Sequence, residues 1–200
     1  MSLLIRYFVI IIAFLLISAC SVSSEIPAEK KTRIKTIGQD ASKNLVSTLG
    51  GLLKAAMQNG GAGAAVDFCS EKAQAVTIDV QSTLAGGVKI RRISNRYRNP
   101  LNRPTSEDLA AIKVFETGKS GSGEYPPEYI VRALEEDAFL YYQPLTIQKL
   151  CLNCHGPENT IKPAVKSAIL QAYPADMATG YAEGDLRGLV KVTVPAKMLD

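Results

Sequence analysis

One histidine, His155, is present in 200 residues, which excludes every site that needs two imidazoles. The net charge is only +4 and no arginine-rich tail is present, so nothing points to nucleic acid. No apolar run approaches the roughly 20 residues a membrane-spanning helix requires. Internal repeats and extended low-complexity segments are absent. So are a hydrolase triad, a phosphate-binding glycine loop and a paired-carboxylate site, which argues against substrate turnover. Cysteine is scarce as well, with four in the chain, and they stand in three different settings.

Cys20 ends a leader. Arg6 precedes the apolar run Tyr7 to Ile17, which leads into Ile17-Ser18-Ala19-Cys20, small residues of a cleavage site directly before a cysteine. Residues 1–19 resemble a bacterial lipoprotein signal, and cleavage would leave the Cys20 thiol acylated. An ordinary signal peptide with an incidental cysteine is the plainer alternative. The lipoprotein reading places the mature chain outside the cytoplasm, anchored by lipid at the periplasmic or cell-surface face of a bacterial membrane. Ser21 stands where an inner-membrane retention signal usually has aspartate, so an outer membrane is a possible destination where two membranes exist. Residues 20–32 then read as a tether of serines, proline and charges, and residues 33–200 as one domain with its own core.

Within that domain, Ile34, Ile37, Ala41, Leu45, Leu49, Leu52, Leu53 and Ala56 recur at three- and four-residue steps. They predict a long amphipathic helix over 33–57, kinked at Gly50-Gly51 and ended by Asn59-Gly60-Gly61. A second helix over about 64–82 aligns Ala65, Cys69, Ala73 and Val76, turning Cys69 toward a core or a cofactor. Alternation from Val88 to Asn95 predicts a strand. Thr105-Ser106-Glu107-Asp108 starts a helix that stops near Gly118, before a Gly/Ser loop over 118–123. Residues 137–148 read as extended, with Phe139, Tyr141, Leu145 and Ile147 on one face and Pro144 demanding an edge or a bulge. A short helix over 163–172 follows. A last strand over 187–194 sets Leu189 apart from Val190, Val192 and Val194. Helices first and strands later give an α+β class with a mainly antiparallel sheet.

Cys151-Leu-Asn-Cys154-His155 carries the chemistry. Two cysteines three apart with a histidine directly after form the attachment site of a c-type haem: the thiols would bond the porphyrin vinyl groups and His155 would bind the iron. A thioredoxin-like pair needs a strand-to-helix βαβ context. Zinc would have to draw on Cys69, Cys151, Cys154 and His155 together, although adjacent side chains rarely close on one ion. The haem reading leaves Cys69 as an unpaired thiol in a disulfide-forming compartment. The His155 N–H needs an acceptor, for which a carbonyl near Gly156 or Pro157 lies close in sequence. The sixth iron position is open to Cys69, to Met57, Met177 or Met198, or to nothing, with Met177 the best placed methionine. Methionine would raise the reduction potential; thiolate would lower it. Arg91, Arg92, Arg96 and Arg98 crowd one strand and its exit, and guanidinium forks pair with carboxylates such as haem propionates. Arg91 and Arg92 are the candidates on the strand itself, although alternation sends them to opposite faces. Phe68, Phe139, Tyr141, Tyr142 and Tyr173 could wall a pocket or fill a core.

The ordered set Asp67-Phe68-Cys69, Arg91-Arg92, Arg98-Asn99-Pro100, Tyr142-Gln143-Pro144-Leu145, the haem motif with Gly156, Tyr173-Pro174, Asp176, Gly180-Tyr181, Gly184-Asp185 and Arg187-Gly188 resembles one family. It is similar to the c-type haem domains with a PAS-like fold known as domain of unknown function 3365. The resemblance spans roughly residues 33–196. It implies a PAS-like antiparallel sheet flanked by helices, and one covalent haem c whose iron is held by His155 and the Cys69 sulfur. With both axial positions filled, the expected function is low-potential electron transfer with redox partner proteins. The alternative is a redox or gas sensor that releases a labile Cys69 ligand.

Overall fold

The computed structural model describes residues 25–200, so the leader and Cys20 lie outside the described residues. A long helix, α1 (Ala28–Asp67), is followed by a π-helical turn (Phe68–Lys72) and α2 (Ala73–Ser82). Then come β1 (Lys89–Ile93), α3 (Ser106–Thr117), β2 (Tyr129–Arg132), β3 (Ala138–Thr146), the short α4 (Leu152–His155), α5 (Pro163–Ala172) and β4 (Leu186–Pro195). The strands form one antiparallel sheet in the order β1-β4-β3-β2. The α+β class, the antiparallel sheet and the long N-terminal helix are as the sequence predicts.

Helix α1 starts earlier than its apolar period suggests. Residues 28–32, expected as tether, are helical, and this first part is tied to the C-terminus: Lys30 pairs with Asp200 at 3.0 Å and Arg33 donates to the Met198 carbonyl at 2.6 Å. Gly50-Gly51 does not break the helical backbone. The interruption sits at Gly61 (φ 67°, ψ −158°), where a left-handed φ is open to glycine at little cost.

Both faces of the sheet are covered. On one, Ile34, Ala41 and Leu45 of α1 and Val80 of α2 pack on Ile90, Tyr141, Val190, Val192 and Val194. Gly38 lets α1 approach closely, because a Cβ there would collide with the Tyr141 ring. On the other face, Ala111, Ile112 and Phe115 of α3 meet Ile93, Leu140, Tyr142 and Leu189. Each fully buried aliphatic or Phe side chain contributes about 1.5–3 kcal/mol relative to exposure. The separation of Leu189 from the three valines is thus the separation of two cores.

Two expectations change here. β2 carries no clear strand signal, since its four residues follow Pro126-Pro127 and its sides are only partly buried. β3 is also not simply an edge strand: residues 139–142 lie between β2 and β4, and Pro144 comes after the last residue paired to β2. Pro144 therefore removes no hydrogen bond on that side. The irregularity lies one step later, at Leu145/Thr146.

Candidate cofactor-binding site

Cys151, Cys154 and His155 sit at the start and in the single turn of α4. The spacings of three and four residues bring them to one side of a helical turn, and all three line one cavity of about 220 Å³. Two small clusters hold the turn. Cys154 packs beside Val66, Ile161, Val165 and Ile169, while Cys151 and Leu152 pack beside Ile147, Ala178 and Tyr181. The His155 carbonyl accepts from the Tyr181 N–H at 2.9 Å and the Gly156 carbonyl from the Gly180 N–H at 2.7 Å.

The acceptor for His155 is the Ala178 carbonyl, 2.7 Å from Nδ1, rather than a carbonyl near Gly156 or Pro157. A carbonyl can only accept, so Nδ1 carries the proton and Nε2 keeps a free lone pair. Burial holds the imidazole well below its usual pKa, with Arg187 and Arg98 acting the same way against the Ala178 hydrogen bond. The ring is therefore neutral, the form that binds a metal.

Cys69 reaches the same cavity from the other end of the chain's helical region. In the π-helical turn, the Ala73 N–H donates to Phe68, five residues back. The Cys69 carbonyl, which a regular α-helix would pair with Ala73, is met instead by the Tyr173 hydroxyl at 2.9 Å. Such single π turns recur at functional sites because they re-aim a side chain within a helix. Burial pushes the Cys69 thiol up, while the Arg92, Arg98 and Arg187 guanidiniums pull the other way.

The arginines divide. Arg91 lies on the α3 side of the sheet and donates to the Leu101 and Arg103 carbonyls at 3.3 and 2.8 Å. It does not line the cavity, which corrects the expectation that both strand arginines could serve it. Arg92 faces the other side, and lines two hollows that adjoin the cavity at Cys69. Arg98, from the turn after β1, pairs with Asp176 through two bonds of 3.1 and 3.0 Å, and donates to the Cys154 carbonyl at 2.7 Å. Arg187 is the participant that strand alternation missed. Leu145 pairs with Gly188 and Thr146 with Leu186, so Arg187 is the extra residue of a β-bulge. Bulges turn a side chain away from the regular pattern beside functional sites, and Arg187 lines the cavity.

Met57 lines the cavity as well. Met177, which sequence distance favoured, is exposed, and Met198 packs in the core under α1. Of the aromatic candidates, Tyr173 lines the cavity and Phe68 an adjoining hollow; Phe139, Tyr141 and Tyr142 belong to the cores. Tyr181, part of the family pattern but not among the aromatic wall candidates, stands edge-on to His155 with ring centroids 6.3 Å apart. Among the described residues, no three His, Cys, Asp or Glu side chains gather as a zinc site would need. All strand pairs are antiparallel, so Cys151 and Cys154 lack the βαβ setting of a thioredoxin-like pair.

The donor set fits a flat, covalently held macrocycle. Two thiols sit on one turn, a neutral imidazole and a thiol reach in from different elements, and the rest of the wall is largely apolar, with Leu53, Val66, Leu145 and Ile147. An α+β domain with such a cavity between its long helix and sheet defines the class. The family profile described as Tll0287-like matches residues 21–195, and the chain belongs to that family. Among solved structures, that of the cyanobacterial heme-protein Tll0287 is similar, with a TM-score of 0.57 and 23% identity. The match covers 85% of this chain and 97% of that one. No curated protein matches the chain.

Proposed function

We propose that this chain binds one haem c and acts as an extracytoplasmic, lipid-anchored electron carrier of low potential. The observation that carries the reading is the meeting of Cys69 with Cys151, Cys154 and His155 around one cavity, across more than 80 residues of sequence. Cys151 and Cys154 would hold the macrocycle by thioethers, with His155 Nε2 and the Cys69 sulfur as axial ligands. When bound, haem supplies an iron that stores and releases one electron. The protein's part is to orient His155 through Ala178, to place Cys69 through the π turn, and to exclude water with the apolar wall. A thiolate ligand donates charge and favours the oxidised iron, which lowers the potential. That the similar solved protein is a heme-protein supports haem as the cofactor, and the sequence before Cys20 supports the lipid anchor and the location.

Spectroscopy of the holoprotein tests the ligand set. Wild type should show a low-spin, thiolate-type spectrum that Cys69→Ala abolishes; an unchanged spectrum in the variant would remove Cys69 as a ligand. Rapid electron exchange with an isolated redox partner would support a carrier, and exchange too slow for turnover would count against it.

A second reading, a redox or gas sensor with a labile Cys69 ligand, is favoured by Met57, which lines the same cavity and offers a replacement sulfur. Carbon monoxide binding to the reduced protein tests the gas-sensing form, since a carrier with both positions firmly filled should not take it up; failure to bind removes gas sensing and leaves redox sensing by ligand exchange standing.

A further inference from the structure

Where the apolar cavity meets Arg92, Arg98 and Arg187, its lining changes character. A small hollow of about 80 Å³ is walled there by these three arginines with Asn99, Asn102 and Tyr173, and touches Cys69 and His155. No carboxylate lines it. Five of its residues, Cys69, Arg98, His155, Tyr173 and Arg187, also line the main cavity, so the two form one space with an apolar and a donor-rich end.

The three guanidiniums are not equally available. Arg98 is satisfied by Asp176 and by the Cys154 and Ala178 carbonyls. Arg92 donates to the Ala73 carbonyl through Nη2 at 3.3 Å, and its enclosed Nε has no partner. Arg187 donates through Nη1 to the Ser94 hydroxyl at 2.8 Å and to the Arg96 carbonyl at 3.1 Å. Neither Arg92 nor Arg187 forms an ion pair among the described residues. Burial works against the charge of both. Cations removed from water require an anion or a costly loss of solvation, and the fork of an arginine matches an oxyanion with two parallel bonds.

We infer that Arg92 and Arg187, with the Asn99 and Asn102 amides alongside, form an oxyanion-binding recess that takes a carboxylate or a small inorganic oxyanion. The inference rests on the haem reading of the main cavity. One source of such a group is the carboxylates of a macrocycle held at Cys151 and Cys154, whose apolar edge would face the thioether end. The other is a free anion from solution. In either case Arg98 is a positioning residue, tied to Asp176 and the α4 turn.

The test compares wild type with Arg92→Gln, Arg187→Gln, Arg187→Lys and Arg91→Gln, each made with cytochrome maturation. Two measurements are taken: resonance Raman bands of the propionate bending region, and melting temperature against inorganic phosphate. If haem carboxylates occupy the recess, Arg92→Gln and Arg187→Gln shift the bands, Arg187→Lys shifts them less, and Arg91→Gln leaves them alone. If a free anion occupies it, phosphate raises the wild-type melting temperature saturably, and both glutamine variants weaken that response at least tenfold. Unmoved bands together with no variant-sensitive phosphate response would overturn the recess. A colourless product would count against haem alone, and the phosphate response would still decide on the recess.

Discussion

The two faces of the sheet treat buried charge in opposite ways. On the α3 side Asp108 is fully buried, yet its carboxylate meets Lys191 Nζ at 2.8 Å, the Tyr142 hydroxyl at 3.0 Å and the Thr105 N–H at 3.0 Å. The Thr105 hydroxyl in turn accepts from the Asp108 N–H, which closes a capping box at the start of α3. Among the described residues, no buried side-chain nitrogen or oxygen on this face is left without a hydrogen-bond partner. On the α1 side three arginines gather near Cys69 and His155, and of the three Arg98 alone has an acid partner among the described residues, Asp176. A network that closes on itself fixes a fold; one left with surplus cations is prepared for something the chain does not supply. The contrast puts the candidate site on one face.

Variants can break each side in turn. The largest effect is expected from Arg98→Met, which leaves the enclosed Asp176 carboxylate without its cation and takes one donor from each of the Cys154 and Ala178 carbonyls. Urea unfolding of the holoprotein should show a loss of about 3–5 kcal/mol. The haem spectrum should change too, because Ala178 orients His155. A mild loss with an unchanged spectrum would mean Arg98 is not the hub of the α4 turn.

Asp108→Asn should cost less, about 2–3 kcal/mol, since Lys191 keeps Glu107 at 3.7 Å. Its spectrum should match wild type if the two faces are independent. The same variant carries a pH signature. Burial would raise the Asp108 pKa, but the Lys191 hydrogen bond, the Thr105 N–H, the Lys191 charge and the Tyr142 hydroxyl outweigh it and hold it below the ordinary value. A carboxyl depressed on folding stabilises above its unfolded pKa of about 3.9 and loses that contribution as pH falls through the folded one. Acid unfolding below about pH 4 should therefore be less steep in Asp108→Asn than in wild type; equal slopes would contradict the assignment.

The smallest effect belongs to Arg91→Gln, about 0.5 kcal/mol, with no spectral change. Comparison with Arg92→Gln sharpens the distinction between neighbours on opposite faces. A spectral change in Arg91→Gln would place it nearer the cavity than its bonds to Leu101 and Arg103 indicate.

Much of the fold is legible in the periodicity of the chain. The apolar steps of α1 follow from burial of one side of a helix, the alternation of β4 from burial in two separate cores, and the cap of α3 from the unpaired N–H groups at a helix start. The attachment motif is legible for a different reason: covalent chemistry requires its residues at fixed spacing, whatever fold surrounds them. What could not be read are the insertions that break a period. The π-helical turn around Cys69 and the bulge at Arg187 each add a residue and redirect a side chain. Contacts made across the chain, such as His155 to Ala178 or Tyr173 to Cys69, leave no local trace either. β2 was missed because four residues after two prolines, three partly buried and Arg132 exposed, carry too little pattern.

The central claim is that Cys151 and Cys154 bind a porphyrin covalently beside His155. Intact-mass analysis under denaturing conditions, on chain produced with cytochrome maturation, tests it most directly. One added haem should be present in wild type and lost from Cys151→Ala/Cys154→Ala. A wild-type chain of bare polypeptide mass would contradict the account.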